Sequence, residues 1–165
     1  MRFDKFTTRF QQAFADAQSR AVGQDNPYIE PQHLLLALLE QDDGATSSLL
    51  ARAAANVAPL KDALRASITR LPKVEGQGGE VSVSRELGNL LNVTDKEAQK
   101  RGDQFIASEL FLLALAEDKG EIGKLLRSHG ASKKALEQAI EAVRGGQGVQ
   151  SQEAEGQREA LEKYT

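Results

Sequence analysis

The stretch "NPYIEPQHLLLALLEQ" fills residues 26–41, and "DQFIASELFLLALAED" fills residues 103–118. Laid over each other without a gap, they pair Tyr28 with Phe105, Ile29 with Ile106, Leu35 with Leu112 and Leu36 with Leu113. Ala37 then meets Ala114, Leu38 meets Leu115 and Glu40 meets Glu117, all at an offset of 77 residues. Similarity at a fixed long offset marks a duplicated structural unit. One small unit cannot easily bury its own apolar face, whereas two stacked units can share a core.

Working outward, the flanks carry the same duplication. Phe6, Phe10, Ala13, Phe14, Ala17 and Ala21 recur at three- and four-residue steps, the period of one helical stripe. Val83, Leu87, Leu90, Leu91, Thr94 and Ala98 repeat that stripe 77 positions on. The next helix starts at Pro31, a favoured first position, with Glu30 as its cap. It stops near Asp42–Gly44, a turn-forming cluster. A short helix with Leu49 and Leu50 follows, then a fourth with Leu60, Ala63, Leu64 and Ile68, capped by the Asn56 side chain. Their second copies carry Leu125 and Leu126, then Leu136, Ala139 and Ile140. There Ser132 takes the capping place of Asn56, at an offset of 76.

The expected fold is all-α, a pseudo-twofold duplication of a four-helix unit with about eight helices. Repeat one spans 1–71, a linker spans 72–83 and repeat two spans 84–144. The linker holds "PKVEGQGGEVSV", where Gly and Pro break the helical period. Residues 145–165 are expected to be a tether leading into a further module. Their first part, "GGQGVQSQEAEGQ" at 145–157, has the composition of a flexible connector. The helical pattern of "REALEKYT" at 158–165 then begins a new element.

Composition narrows the function. Apolar residues make up 40% and charged residues 27%, with a net charge of −3. Residues 145–165 carry two basic and four acidic side chains, so the body stands near −1. That balance argues against nucleic acid, which needs a basic footprint to release counterions. Without cysteine there is no disulfide, thiolate metal site or thiol nucleophile. The start, "MRFDKFTTRF", lacks the apolar core of a signal peptide, and runs such as Leu34–Leu39 are far too short to cross a bilayer. There is no Walker-type phosphate loop, because "GEIGKLL" at 120–126 lacks the spacing and the Ser or Thr. No G-x-S-x-G elbow or H-E-x-x-H pair occurs. His33 and His129 have no neighbouring ligand pattern, and His129 suits a helix C-terminus, where a cation complements the dipole. Neither a catalytic nor a metal-binding residue is expected.

The duplication also provides an internal control. Asp16 in copy one becomes Val93 in copy two, and His33 becomes Leu110. Val93 lies about 60° outside its helix's stripe at 100° per residue. Apolar residues where the sister copy is polar suggest an exposed apolar strip; packing of Val93 and Leu110 against copy one or the linker is the alternative. Thr7 and Ser84 both suit helix starts, Asp103 suits the turn before Ile106, and Glu109 lies in a first turn where the dipole favours negative charge.

The doubled unit, with "IEPQHLLLALL" and "NLLNVTDKEAQKRGDQFIASELFLLAL", closely resembles the Clp N-terminal domain of Clp/Hsp ATPases. "DNPYIEP", "KVEGQGGEV" and "RGGQGV…QREALEKYT" are similar to its ClpB-type disaggregase branch. The resemblance covers the whole chain. It implies an N-terminal domain that engages exposed hydrophobic segments of unfolded or aggregated proteins. It further implies a cytoplasmic hexamer working with the DnaK chaperone system, with ATP and magnesium used by AAA+ modules beyond Thr165. The fragment itself is expected to be monomeric, without enzyme activity, cofactor, nucleic-acid or membrane partner. The resemblance assigns Thr7, Asp103 and Glu109 to the substrate-contacting surface. Leu91, Val93 and Leu110 complete the candidate set as its apolar part. An alternative is an adaptor-docking domain of a ClpA/ClpC-type unfoldase in a protease complex.

Overall fold

The computed structural model describes residues 3–75 and 80–155. After a 3-10 turn at Phe3–Lys5, repeat one forms α1 (Thr8–Gly23), α2 (Pro31–Leu39), α3 (Ala45–Arg52) and α4 (Val57–Thr69). Repeat two forms α5 (Arg85–Arg101), α6 (Ser108–Glu117), α7 (Glu121–Ser128) and α8 (Lys133–Arg144). Two dipeptide strands, β1 (Tyr28–Ile29) and β2 (Ser82–Val83), are the remaining regular elements among the described residues. The all-α duplication read from the sequence is therefore the architecture.

Local chemistry sets the helix starts. Thr7 Oγ1 accepts the Phe10 N–H at 3.2 Å, and Ser84 Oγ accepts the Leu87 N–H at 3.1 Å, so both opening helices carry the same cap. Ser132 Oγ does likewise for the Ala135 N–H. Asn56 departs from expectation. Its side chain makes no capping bond; instead its backbone N–H donates to the His129 carbonyl at 2.8 Å, tying the two repeats together. Gly102 (φ +76°) and Gly145 (φ +58°) end α5 and α8 in the left-handed conformation that glycine adopts without a Cβ clash.

The repeats interlock through their opening strands. β1 and β2 run parallel, with Tyr28 opposite Ser82 and Ile29 opposite Val83, while Phe6 bridges Ile106 in parallel. The Thr7 N–H donates to the Ile106 carbonyl at 3.1 Å, and the Ser84 N–H donates to the Ile29 carbonyl at 3.1 Å. These are one bond and its pseudo-twofold twin. Part of the expected linker is thus a strand, because its last two residues complete this exchange; residues 76–79 lie outside the described residues.

At the centre, α2 and α6 are buried along nearly their whole length, as helices apolar on every side must be. α1 packs on α2 and α5 on α6, while α3 meets α8 and α4 meets α7 across the pseudo-twofold. Phe6 stacks on Phe10 at 4.5 Å between ring centroids, and Phe10 reaches Phe111 of repeat two at 6.1 Å. One core therefore serves both repeats.

The end of the chain corrects the expectation of a tether from residue 145. Through Glu155, the last described residue, it lies seated on the domain. Val149 is buried, its carbonyl accepts the Gln104 and Phe105 N–H groups at 2.9 and 3.2 Å, and Gln152 offers its carbonyl to the Thr8 N–H at 2.9 Å. A segment poor in apolar residues docks here because its polar groups find partners. The helix expected at 158–165 falls outside the described residues.

Candidate functional site

Thr7, Asp103 and Glu109 come from three separate elements, and each is tied to the segment 144–155. Thr7 precedes α1. Its Oγ1 already accepts the Phe10 N–H, so its hydroxyl hydrogen is free to donate to Glu155 Oε1 at 2.5 Å. Asp103 follows the Gly102 turn; its Oδ1 accepts the Val149 N–H at 3.0 Å, and its Oδ2 lies 2.9 Å from Arg144 Nη1. Glu109, in the first turn of α6, accepts from Arg144 Nε at 3.1 Å. The side chains of Arg144, Asp103 and Glu109 are each at most 6% exposed. Charges so far from water are costly unless paired. One guanidinium pairs with both carboxylates, hydrogen-bonding Glu109 and facing Asp103 as an ion pair. Among the described residues, Asp103 Oδ2 and Arg144 Nη2 make no hydrogen bond.

The Glu155 carboxylate occupies the neighbouring position. Its Oε1 accepts the Thr7 hydroxyl and, at 2.8 Å, the Ser108 N–H; its Oε2 accepts the Ser108 hydroxyl at 2.5 Å and lies 3.7 Å from Arg9 Nη1. Ser108 opens α6, where free N–H groups and the helix dipole favour an anion. Glu155 is 4% exposed. Arg9 is itself braced, its Nε donating to Gln41 Oε1 at 3.1 Å and its Nη2 contacting Asp43.

The apolar candidates divide. Val93, on α5, is 44% exposed, and its sister Asp16 is exposed as well. Leu91 and Leu110 are 2% and 0% exposed and belong to the core. The expected exposed strip through Leu110 is corrected accordingly. Polarity in the sister copy misled, because His33 is also fully buried. Its Nδ1 accepts the Glu30 N–H at 2.9 Å, so its Nε2–H donates to Asn26 Oδ1, also at 2.9 Å. Burial, with a smaller contribution from the Arg20 charge, pushes the His33 pKa down from 6.5 to about 4. This is a neutral, hydrogen-bonded histidine in a core position, and leucine fills the same space in repeat two.

Arg9, Ser108, Arg144, Val149 and Glu155 were not singled out from the sequence. One signal was available: Val149 is the one large apolar residue in 145–157, and a lone valine in a polar run marks an anchor. Among the described residues no group of three His, Cys, Asp or Glu side chains could hold a metal ion, and no helix is long and apolar enough to cross a membrane.

Comparison with known proteins adds an independent line. The model of the family described as "Clp repeat (R) N-terminal domain" matches residues 5–129. The chaperone protein ClpB of Vibrio cholerae serotype O1 is 50% identical over all 165 residues, and ClpB of Pseudomonas putida is 49% identical over the same length. This chain spans 19% of the length of each. Among solved structures, the Hsp104 N-terminal domain of Candida albicans superposes with a TM-score of 0.79 at 24% identity, covering 91% of this chain and 98% of that one. The N-terminal domain of ClpV1 from E. coli gives 0.74 at 22% identity, covering 86% and 87%. At such identity these structures speak to the fold alone.

Proposed function

Since this chain belongs to the family of Clp repeat N-terminal domains, we propose that it is the substrate-engaging front end of a ClpB-type disaggregase. In this reading it holds exposed hydrophobic segments of unfolded or aggregated proteins before they are threaded by ATP-driven modules outside these residues. The observation that carries the reading is the whole-chain alignment, at about half identity, with chaperones named ClpB. Work in the cytoplasm, hexamer formation through the AAA+ modules and cooperation with the DnaK system belong to the same proposal. The domain contributes binding and no chemistry.

Its exposed apolar side chains suit weak capture. Val93, Tyr28, Val74 and Phe3 are the large exposed hydrophobic residues of the described surface. Burying one such side chain contributes on the order of 1.5–3 kcal/mol. Ordering and association costs consume much of that, so binding is weak and exchanges quickly. Weak binding serves a domain that must surrender its cargo to a motor.

Titrating a permanently unfolded, fluorescent protein against the wild-type chain and a Val93→Asp variant tests this. Affinity should fall severalfold while helicity and melting temperature stay nearly unchanged, because Val93 is 44% exposed. Retained affinity in both Val93→Asp and Tyr28→Ser would sink hydrophobic capture at this surface. Binding to one folded adaptor and to no unfolded protein would favour the adaptor-docking alternative. Leu110→His is the contrasting control, expected to unfold the domain.

A further inference from the structure

We propose that Thr7, Arg9 and Ser108 form a binding site for a side-chain carboxylate carried on a peptide segment. Glu155 is its occupant in cis, and an acidic segment of another chain exchanges with it. The site rests on polar contacts and stands apart from hydrophobic capture through Val93.

The carboxylate is satisfied at both oxygens: two donors reach Oε1, and a hydroxyl and a guanidinium face Oε2. The donors are organised without it. The Thr7 oxygen is fixed by capping α1, Arg9 is braced by Gln41 and Asp43, and the Ser108 N–H is set by the start of α6. A cradle that keeps its shape when its occupant leaves has little ordering cost for the next one.

The duplication again acts as a control. Shifted by 77 positions, Thr7 corresponds to Ser84, Arg9 to Glu86, and Ser108 to Pro31. The twin location therefore offers a hydroxyl, a carboxylate and a residue with no N–H donor at all. It cannot receive an anion. The shared backbone is common to both copies, so the carboxylate cradle arises from differences at these sister positions, with Thr7 and Arg9 supplied by repeat one and Ser108 by repeat two. Repeating the fold does not require it.

The site also has room and an exchangeable occupant. Beside Glu155 a cleft continues between Arg52, Leu49, Leu112 and Val143, where a neighbouring ligand side chain would lie. Outside the carboxylate, the occupying segment is held by Val149 and by a few exposed bonds, including Thr8 Oγ1 to Glu153 Oε1 at 2.7 Å and Gln152 Nε2 to the Asp4 carbonyl at 2.9 Å. A short tether gives such a segment an effective concentration of about millimolar. The cis segment thus sets the threshold that an incoming acidic peptide must exceed.

The test uses the C-terminally amidated, fluorescent peptide VQSQEAE, the chain's own residues 149–155, titrated by anisotropy against the 165-residue chain. Against a Val149→Asp/Glu155→Gln chain, in which the cis segment is released, it should bind at least about tenfold tighter than against wild type. Adding Arg9→Ala, or changing the peptide's last residue to Gln, should abolish the gain. Equal affinity for both chains, no binding to a natively helical double variant, or indifference to the peptide's last residue would each overturn the proposal. Should the double variant fail to fold, Glu155→Gln alone decides. Amide exchange at Ser108 should accelerate about tenfold and be slowed again by the peptide; unchanged exchange, or no response to peptide, overturns it.

Discussion

After α4 the chain leaves repeat one at Pro72, whose carbonyl accepts from Asn26 Nδ2 at 3.0 Å while His33 holds the other end of the Asn26 amide. After α8 it leaves repeat two at Val149, whose N–H donates to Asp103 Oδ1 at 3.0 Å while Arg144 holds the other oxygen. Asn26 and Asp103 are sister positions, as are His33 and Leu110; at the offset of the later helices, Arg144 stands where repeat one has the buried Ile68. The two copies guide the departing chain past the same point, one with a neutral network and one with buried charges. The backbone path follows from the duplicated apolar pattern, whereas the means of holding the exit follows from three substitutions.

The largest difference should appear on removing each network's central member. Arg144→Ala strips the cation from two buried carboxylates and should cost about 3–5 kcal/mol. Asn26→Ala leaves neutral groups without partners and should cost about 1–3 kcal/mol. Urea denaturation of both variants checks the ranking. Equal losses would mean that the ionic exit is held no differently from the neutral one.

A second contrast is pH. The folded-state pKa of His33 is about 4, below its ordinary 6.5, so the unfolded chain binds the extra proton between those values. The stabilisation is complete above pH 6.5 and is lost as pH falls toward 4, by up to roughly 3 kcal/mol at 1.36 kcal/mol per unit. Repeat two has Leu110 at this position and contributes nothing of the kind. Between pH 7 and pH 4.5 the wild-type chain should therefore lose about 2 kcal/mol more unfolding free energy than His33→Leu. Parallel losses would show that His33 is not titrating across this window.

These contrasts mark what the sequence could disclose. The duplication and both opening caps were legible because they depend on local chemistry and a repeating period. The buried triad was not, since Arg144 lies 35 residues from Glu109 and 41 from Asp103 and only the packed helices bring them together. Leu110 was misread because polarity in a sister residue was taken for exposure, although a histidine with two hydrogen-bond partners can stand in a core. The seated segment was misread because composition reports the absence of a core and cannot show that one valine and one carboxylate find prepared places.

The smallest expected effect concerns Glu86, the sister of Arg9. It lies in the first turn of α5, where the helix dipole favours a negative charge, yet its pKa is raised, by partial burial first and then by Asp118, Glu30 and Glu121. Desolvation and crowding by carboxylates outweigh the dipole. A raised carboxyl pKa means that the charged form is less favourable in the folded state. Ionised Glu86 therefore costs stability at neutral pH, and the cost vanishes as pH falls below the carboxyl range. Because the side chain is largely exposed, screening limits the effect, and Glu86→Gln should stabilise the domain by only a few tenths of a kcal/mol at pH 7. The gain should shrink in high salt and disappear near pH 3.5, which paired melting curves would detect. The matching change in repeat one, Arg9→Gln, should act in the opposite direction, because there the charge faces Asp43 and Glu155. Two sister positions whose neutralisation shifts stability with opposite sign would tie the asymmetry to charge. A loss at both would place it in packing.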